Sequence, residues 1–167
     1  NFYKMIEHSL GDAFESKPNL TIAEEFRIVL NYLDKILQNP EPEQVRRYFD
    51  LTDTWQKHFR EANMIDRANQ ITLALIPAVH DFGIFEVTDR LLKTLRESPQ
   101  LSPEIQLHVR YWEAVRLVDQ RDYEKASQML DQLELQINTR PGFEELYAKL
   151  LERQGEIFRG LGNARRS

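Results

Sequence analysis

Residues 103–119 read Pro-Glu-Ile-Gln-Leu-His-Val-Arg-Tyr-Trp-Glu-Ala-Val-Arg-Leu-Val-Asp, and the reading of this stretch decides the fold. Ser102-Pro103-Glu104 opens it as a helix. Serine caps the free amides, proline tolerates the first helical position because its missing N–H has no partner there, and glutamate meets the positive end of the dipole. Ile105, Val109, Trp112 and Val115 line one side, while Leu107, Tyr111, Ala114 and Val118 line another. A helix apolar on two sides needs packed neighbours on both. Short loops make those neighbours antiparallel, so the pattern predicts an all-α open array of helical hairpins, with a closed four-helix bundle as the structural alternative.

Outward from this helix the same grammar recurs. Helices are expected over residues 122–138 and 143–160 on the C-terminal side and over 65–79 on the N-terminal side, the last of these kinked or stopped by Pro77, where the Leu73 carbonyl loses its usual partner. Asp81-Phe82-Gly83 reads as a turn. The next helix, with Val87, Leu91 and Leu95 inward, ends before Ser98-Pro99. Further back, Thr21 and Glu24 form a capping box ahead of Ile22, Phe26, Val29, Leu33 and Ile36, giving a helix over 21–38. Asn39-Pro40-Glu41-Pro42 ends it, and Val45, Phe49, Thr52, Trp55 and Phe59 line a third helix; residues 2–14 add a first. About eight helices and no strand are expected, in one domain over 1–167.

Composition narrows the function classes. Lys plus Arg number 22 and Asp plus Glu 27, for a net charge of −5, which disfavours a nucleic-acid surface of the usual basic kind. There is no cysteine, so disulfides, thiolate metal sites and cysteine nucleophiles are excluded, and a reducing interior such as the cytoplasm suits the chain. No apolar run approaches the roughly 20 residues of a membrane-spanning helix. The chain opens on Asn1 and closes on Ser167 where a further helix is expected after Gly162, so it reads as a piece of a longer protein.

An internal repeat is present. Ala114, Leu117 and Arg121 are followed 41 positions later by Gly155, Phe158 and Gly162, a period that belongs to helical-hairpin arrays. At Arg121-Asp122-Tyr123-Glu124-Lys125-Ala126 the chain resembles a tetratricopeptide-type repeat, whose turn is written Gly-Asp-Tyr with an alanine three residues on; Arg121 departs at the glycine and Leu130 fits the following large position. Leu151, Gly155, Phe158 and Gly162 resemble its aromatic, small, aromatic and turn-glycine positions. The register is clearest over 70–167. Arg110 and Glu113 fall where the family prefers an aromatic and a leucine. The resemblance implies a partner-binding scaffold, and longer-period repeats of this sort are similar to those in the sensor arms of bacterial signal-transducing ATPases and regulators.

The chemistry of a catalyst or cofactor site is absent from the motifs. His8, His58, His80 and His108 fall on different helices, so no two of them stand at the i, i+4 spacing of a helical zinc site. No phosphate-cradling glycine loop occurs, and Gly160-Leu161-Gly162 reads as a helix end. Glu24-Glu25 and Glu144-Glu145 sit in first turns, where exposed amides favour negative charge. Arg46-Arg47 and Arg165-Arg166 are basic doublets without interleaved aromatics. The expectation is a non-catalytic module without cofactor or metal that binds a protein or peptide. The family register implies a concave groove carrying His80, His108, Tyr111, Trp112, Asp119, Lys149, Glu152, Arg153, Glu156 and Arg159. Tyr111 and Trp112 would anchor the partner or else belong to the core, and Arg153 and Arg159 would supply charge-assisted contacts. A ligand- or peptide-sensing arm of a signal-transducing ATPase or transcription regulator, and a self-associating structural domain, are the alternatives.

Overall fold

The computed structural model describes residues 56, 57, 59–61 and 63–164, without the side chains of 163 and 164. These residues are helical throughout apart from turns, with no strand among them. The expected helices over 2–14 and 21–38, most of the third, His8 and His58, Glu24-Glu25 and both arginine doublets lie outside the described residues. A helical stretch containing residues 56, 57 and 59–61 leads into five complete helices: α1 (Ile65–Asp81), α2 (Phe85–Arg96), α3 (Pro103–Asp119), α4 (Tyr123–Ile137) and α5 (Glu144–Ala164). Contacts cluster into two units, Asn1–Val79 and His80–Ser167.

In the first unit the stretch before α1 ends at Asn63, whose φ of 60° is left-handed. The Asn63 amide bonds the Arg60 carbonyl (3.0 Å) and the Met64 amide the Phe59 carbonyl (2.8 Å), a pairing that satisfies carbonyls otherwise orphaned at a helix end. Arg60 Nε donates to Gln56 Oε1 (2.7 Å), and α1 buries Ala68, Ile71, Thr72, Leu75, Ile76 and Val79. Pro77 does not stop α1, which continues to Asp81; one lost hydrogen bond is a local cost that the flanking turns absorb.

The second unit is built around α3. Ser102 caps it by accepting from the Ile105 amide (3.3 Å), with Pro103 at the first position. Both apolar stripes are buried: Ile105, Val109, Trp112 and Val115 on one, Leu107, Tyr111, Ala114 and Val118 on the other. They serve three neighbours, since α3 packs against α2, α4 and α5, and α4 packs against α5. The α3–α4 turn passes through Arg121 at φ 63°, with Arg121 and Asp122 amides bonded to the carbonyls of Val118 and Leu117, each at 2.9 Å. Asp122 then caps α4, whose Ala126, Leu130, Leu133 and Ile137 form a single buried stripe.

Helix α5 corrects one expectation. It runs unbroken through Gly160, Leu161 and Gly162 to Ala164, so this triplet is not a helix end and Gly162 is not a turn glycine. Helical glycine is merely unfavourable by about 1 kcal/mol, and packing overrides that. At Gly160 the reason is visible: a Cβ there would sit 2.7 Å from Tyr123 Cζ, so the ring of the preceding hairpin lies directly on the helix backbone.

Candidate functional site

The residues expected to share one groove divide into two groups. The first gathers around His80, at the start of the second unit, with residues of α2 and α3. His80 Nε2 donates to Asp119 Oδ2 at 2.8 Å, and its ring lies 5.3 Å from that of Trp112 and 5.6 Å from that of Phe85. His80 Nδ1 is 3.8 Å from Asp81 Oδ1, beyond hydrogen-bond length. Arg116, which the sequence analysis did not single out, holds this group together. Its guanidinium grips Asp89 through Nε–Oδ1 (2.7 Å) and Nη2–Oδ2 (3.2 Å), reaches Asp119 Oδ2 through Nη1 (2.8 Å), and lies 4.3 Å from the centroid of the Phe85 ring. A two-pronged grip of this kind fixes both geometry and charge. The only sequence signal was an arginine between two apolar stripes, three residues before an aspartate.

Tyr111 and Trp112 are core residues, 4% and 8% exposed, with rings edge to face at 5.5 Å. They are not surface anchors: a helix buried on both flanks leaves its aromatics no open side. Among charged groups Arg153 acts most strongly on the Tyr111 hydroxyl. Burial raises its pKa more than the neighbouring charge of Arg153 lowers it.

That hydroxyl belongs to the second group, along the seam of α3 and α5. Arg153 Nη1 donates to Glu156 Oε2 (2.7 Å), one turn on. His108 lies in the same seam, its ring 6.0 Å from Phe143, and burial holds its pKa below the ordinary value; Lys149 acts in the same direction and Glu145 against it. Lys149 pairs with Glu145 at 2.7 Å. His108, Tyr111, Lys149, Arg153 and Glu156 therefore come together. Arg159 does not join them: it is exposed on α5 with no partner among the described residues.

The first turn of α5 behaves as expected for an acidic helix start. Glu144 Oε1 accepts from the Gly142 amide (3.2 Å), and its backbone hydrogen bonds hold the carboxyl below its usual range. Between α2 and α3 lies an open depression of about 340 Å³ lined by Arg96, Ser98, Pro99, Leu101, Gln106, Val109, Arg110 and Glu113, with Arg96 paired to Glu113 at 3.1 Å. Among the described residues no group of three His, Asp or Glu side chains is placed to hold a metal ion, and no helix is long and apolar enough to cross a membrane. No protein-family model, curated protein or solved structure matches the chain.

Proposed function

We propose that this chain is a non-catalytic, tetratricopeptide-like interaction module that binds a protein or peptide along the α3–α5 seam. The observation that carries the reading is the convergence there of His108, the Tyr111 hydroxyl, Lys149, Arg153 and Glu156, a row of polar groups standing on a buried apolar floor. Rigid backing of this sort presets side chains for a partner and lowers the entropy lost on binding. The repeat reading draws support from α5 packing against both α3 and α4, as a hairpin's successor does in a stacked array. It draws support as well from the left-handed Arg121 at the position the family gives to glycine, and from the fully buried Ala126 at its small position.

The test is selection of binders from a random peptide library on the immobilised chain, followed by fluorescence anisotropy. Truncating both Lys149 and Arg153 to Ala is expected to weaken selected peptides at least about tenfold, because groups at the centre of an interface carry most of its energy. Leu135→Ser, at an exposed position of α4, should leave them unchanged. Equal binding to the double variant sinks the assignment of the seam.

A further inference from the structure

On the side of α5 away from its neighbours an apolar face is uncovered. Phe158 is 80% exposed and Leu151 45%. Beside them run Ala148, Gly155 and Gly162, all exposed, and a Cβ built on either glycine meets nothing within 4 Å. These three small residues are seven apart, which returns them to within about 20° of one line along a helix. In the repeat register Gly155 matches Ala114, 41 positions earlier, which is fully buried on α3. The same position is thus covered in one repeat and open in the next.

We propose that a second copy of this chain covers it, α5 against α5, antiparallel about a two-fold axis at Gly155. The charge pattern selects both the occupant and its direction. Glu152 and Arg159 are exposed, lack ion-pair partners among the described residues, and share one flank of the face, being seven residues apart. Rotation about an axis at Gly155 brings Glu152 beside the second copy's Arg159, and Arg159 beside the second copy's Glu152. On the opposite flank Leu151 meets the second copy's Phe158, twice. Along the centre Gly155 faces Gly155, and Ala148 faces Gly162, so the backbones approach closely. A parallel pairing would set the Glu152 and Arg159 flank of each copy against the Leu151 and Phe158 flank of the other, leaving the charges opposite apolar side chains, and flanking charges of this kind decide helix orientation. The face is therefore self-complementary, as a two-fold contact requires.

Sedimentation velocity across a concentration series should show the mass rising from the 19.8 kDa chain towards twice that value. Phe158→Ser should abolish the rise with an unchanged circular dichroism spectrum, since the side chain is exposed. Arg159→Glu is expected to weaken association at least about fivefold, and Glu152→Arg with Arg159→Glu to restore it. Because the chain has no cysteine, Gly155→Cys should form a linked dimer under mild oxidation. Ala148→Cys alone should not, because its two copies would lie about 21 Å apart, well past the roughly 7 Å reach of a disulfide; mixed with Gly162→Cys it should link. A single species of monomer mass at every concentration overturns the proposal, as does failure of the double charge reversal to restore association or linkage of Ala148→Cys to itself as readily as Gly155→Cys. Phe158→Ser and Gly155→Cys leave the α3–α5 seam untouched, so loss of association and loss of peptide binding are separable.

Discussion

Replacing Arg121 with glycine should stabilise the second unit. At φ 63° the Arg121 Cβ is pressed towards the carbonyl that follows, a strain of about 1–2 kcal/mol for an ordinary residue. Glycine removes that strain but loses about 0.5–1 kcal/mol through the greater freedom of the unfolded chain. The Arg121 side chain is exposed and has no hydrogen bond or ion pair among the described residues, so its removal forfeits nothing there. The two backbone bonds of the turn, both 2.9 Å, are kept. A net gain of about 0.5–1 kcal/mol follows, worth about 1–4 °C in midpoint for a chain of this size. Thermal and urea melts followed by far-ultraviolet circular dichroism read it directly. Arg121→Ala is the control, since it removes the same charge and keeps the strain; Arg121→Asn should fall between the two, asparagine being the residue that best tolerates this region after glycine. If Arg121→Gly is no more stable than Arg121→Ala, the turn is not under the strain argued for it.

Three further outcomes are expected. Arg116→Met, which keeps the apolar stem but strips the guanidinium from Asp89 and Asp119, should cost about 1.5–3 kcal/mol in urea unfolding, the lower end if solvent at half-exposed Asp89 screens its share. Because His108 is held below its ordinary value, the unfolded chain binds more protons in the window from about pH 6.5 down to the folded value. Stability should therefore be full above that window, fall as pH drops through it and level off beneath, and His108→Gln should flatten the slope; an equal slope in the variant assigns it elsewhere. Gly155→Ala, measured at low concentration, should gain about 0.5–1 kcal/mol from helix propensity in open space. Gly160→Ala should gain less because of Tyr123, and should recover the difference when Tyr123 is also replaced by Ser.

Local chemistry made much of the second unit legible. Ser102-Pro103 and the Arg121-Asp122 turn are strong punctuation, and α3 begins and ends where they predict. Burial on both of its flanks followed from the two stripes. The same fact put the rings of Tyr111 and Trp112 in the core. Where tertiary contact overrides propensity the sequence misled: α5 passes through Gly160 under the Tyr123 ring. Arg116 was missed because its partner Asp89 lies on another helix, 27 positions away, where no local pattern connects them. Arg159 was assigned to the groove from register alone, which cannot tell an inward flank of a helix from an outward one.

Unequal anchoring in the second unit sets the order in which it opens. Helix α3 is gripped by three neighbours, whereas α2, the shortest of the complete helices, starts at Ile84 without a side-chain cap and packs on α3. Amide exchange should therefore be fastest at the start of α2 and slowest along α3, whose protons are released only when the whole unit comes apart. A protease acting on the native chain would find its earliest cut near Ile84, and the fragment remaining beyond it would keep its folded centre.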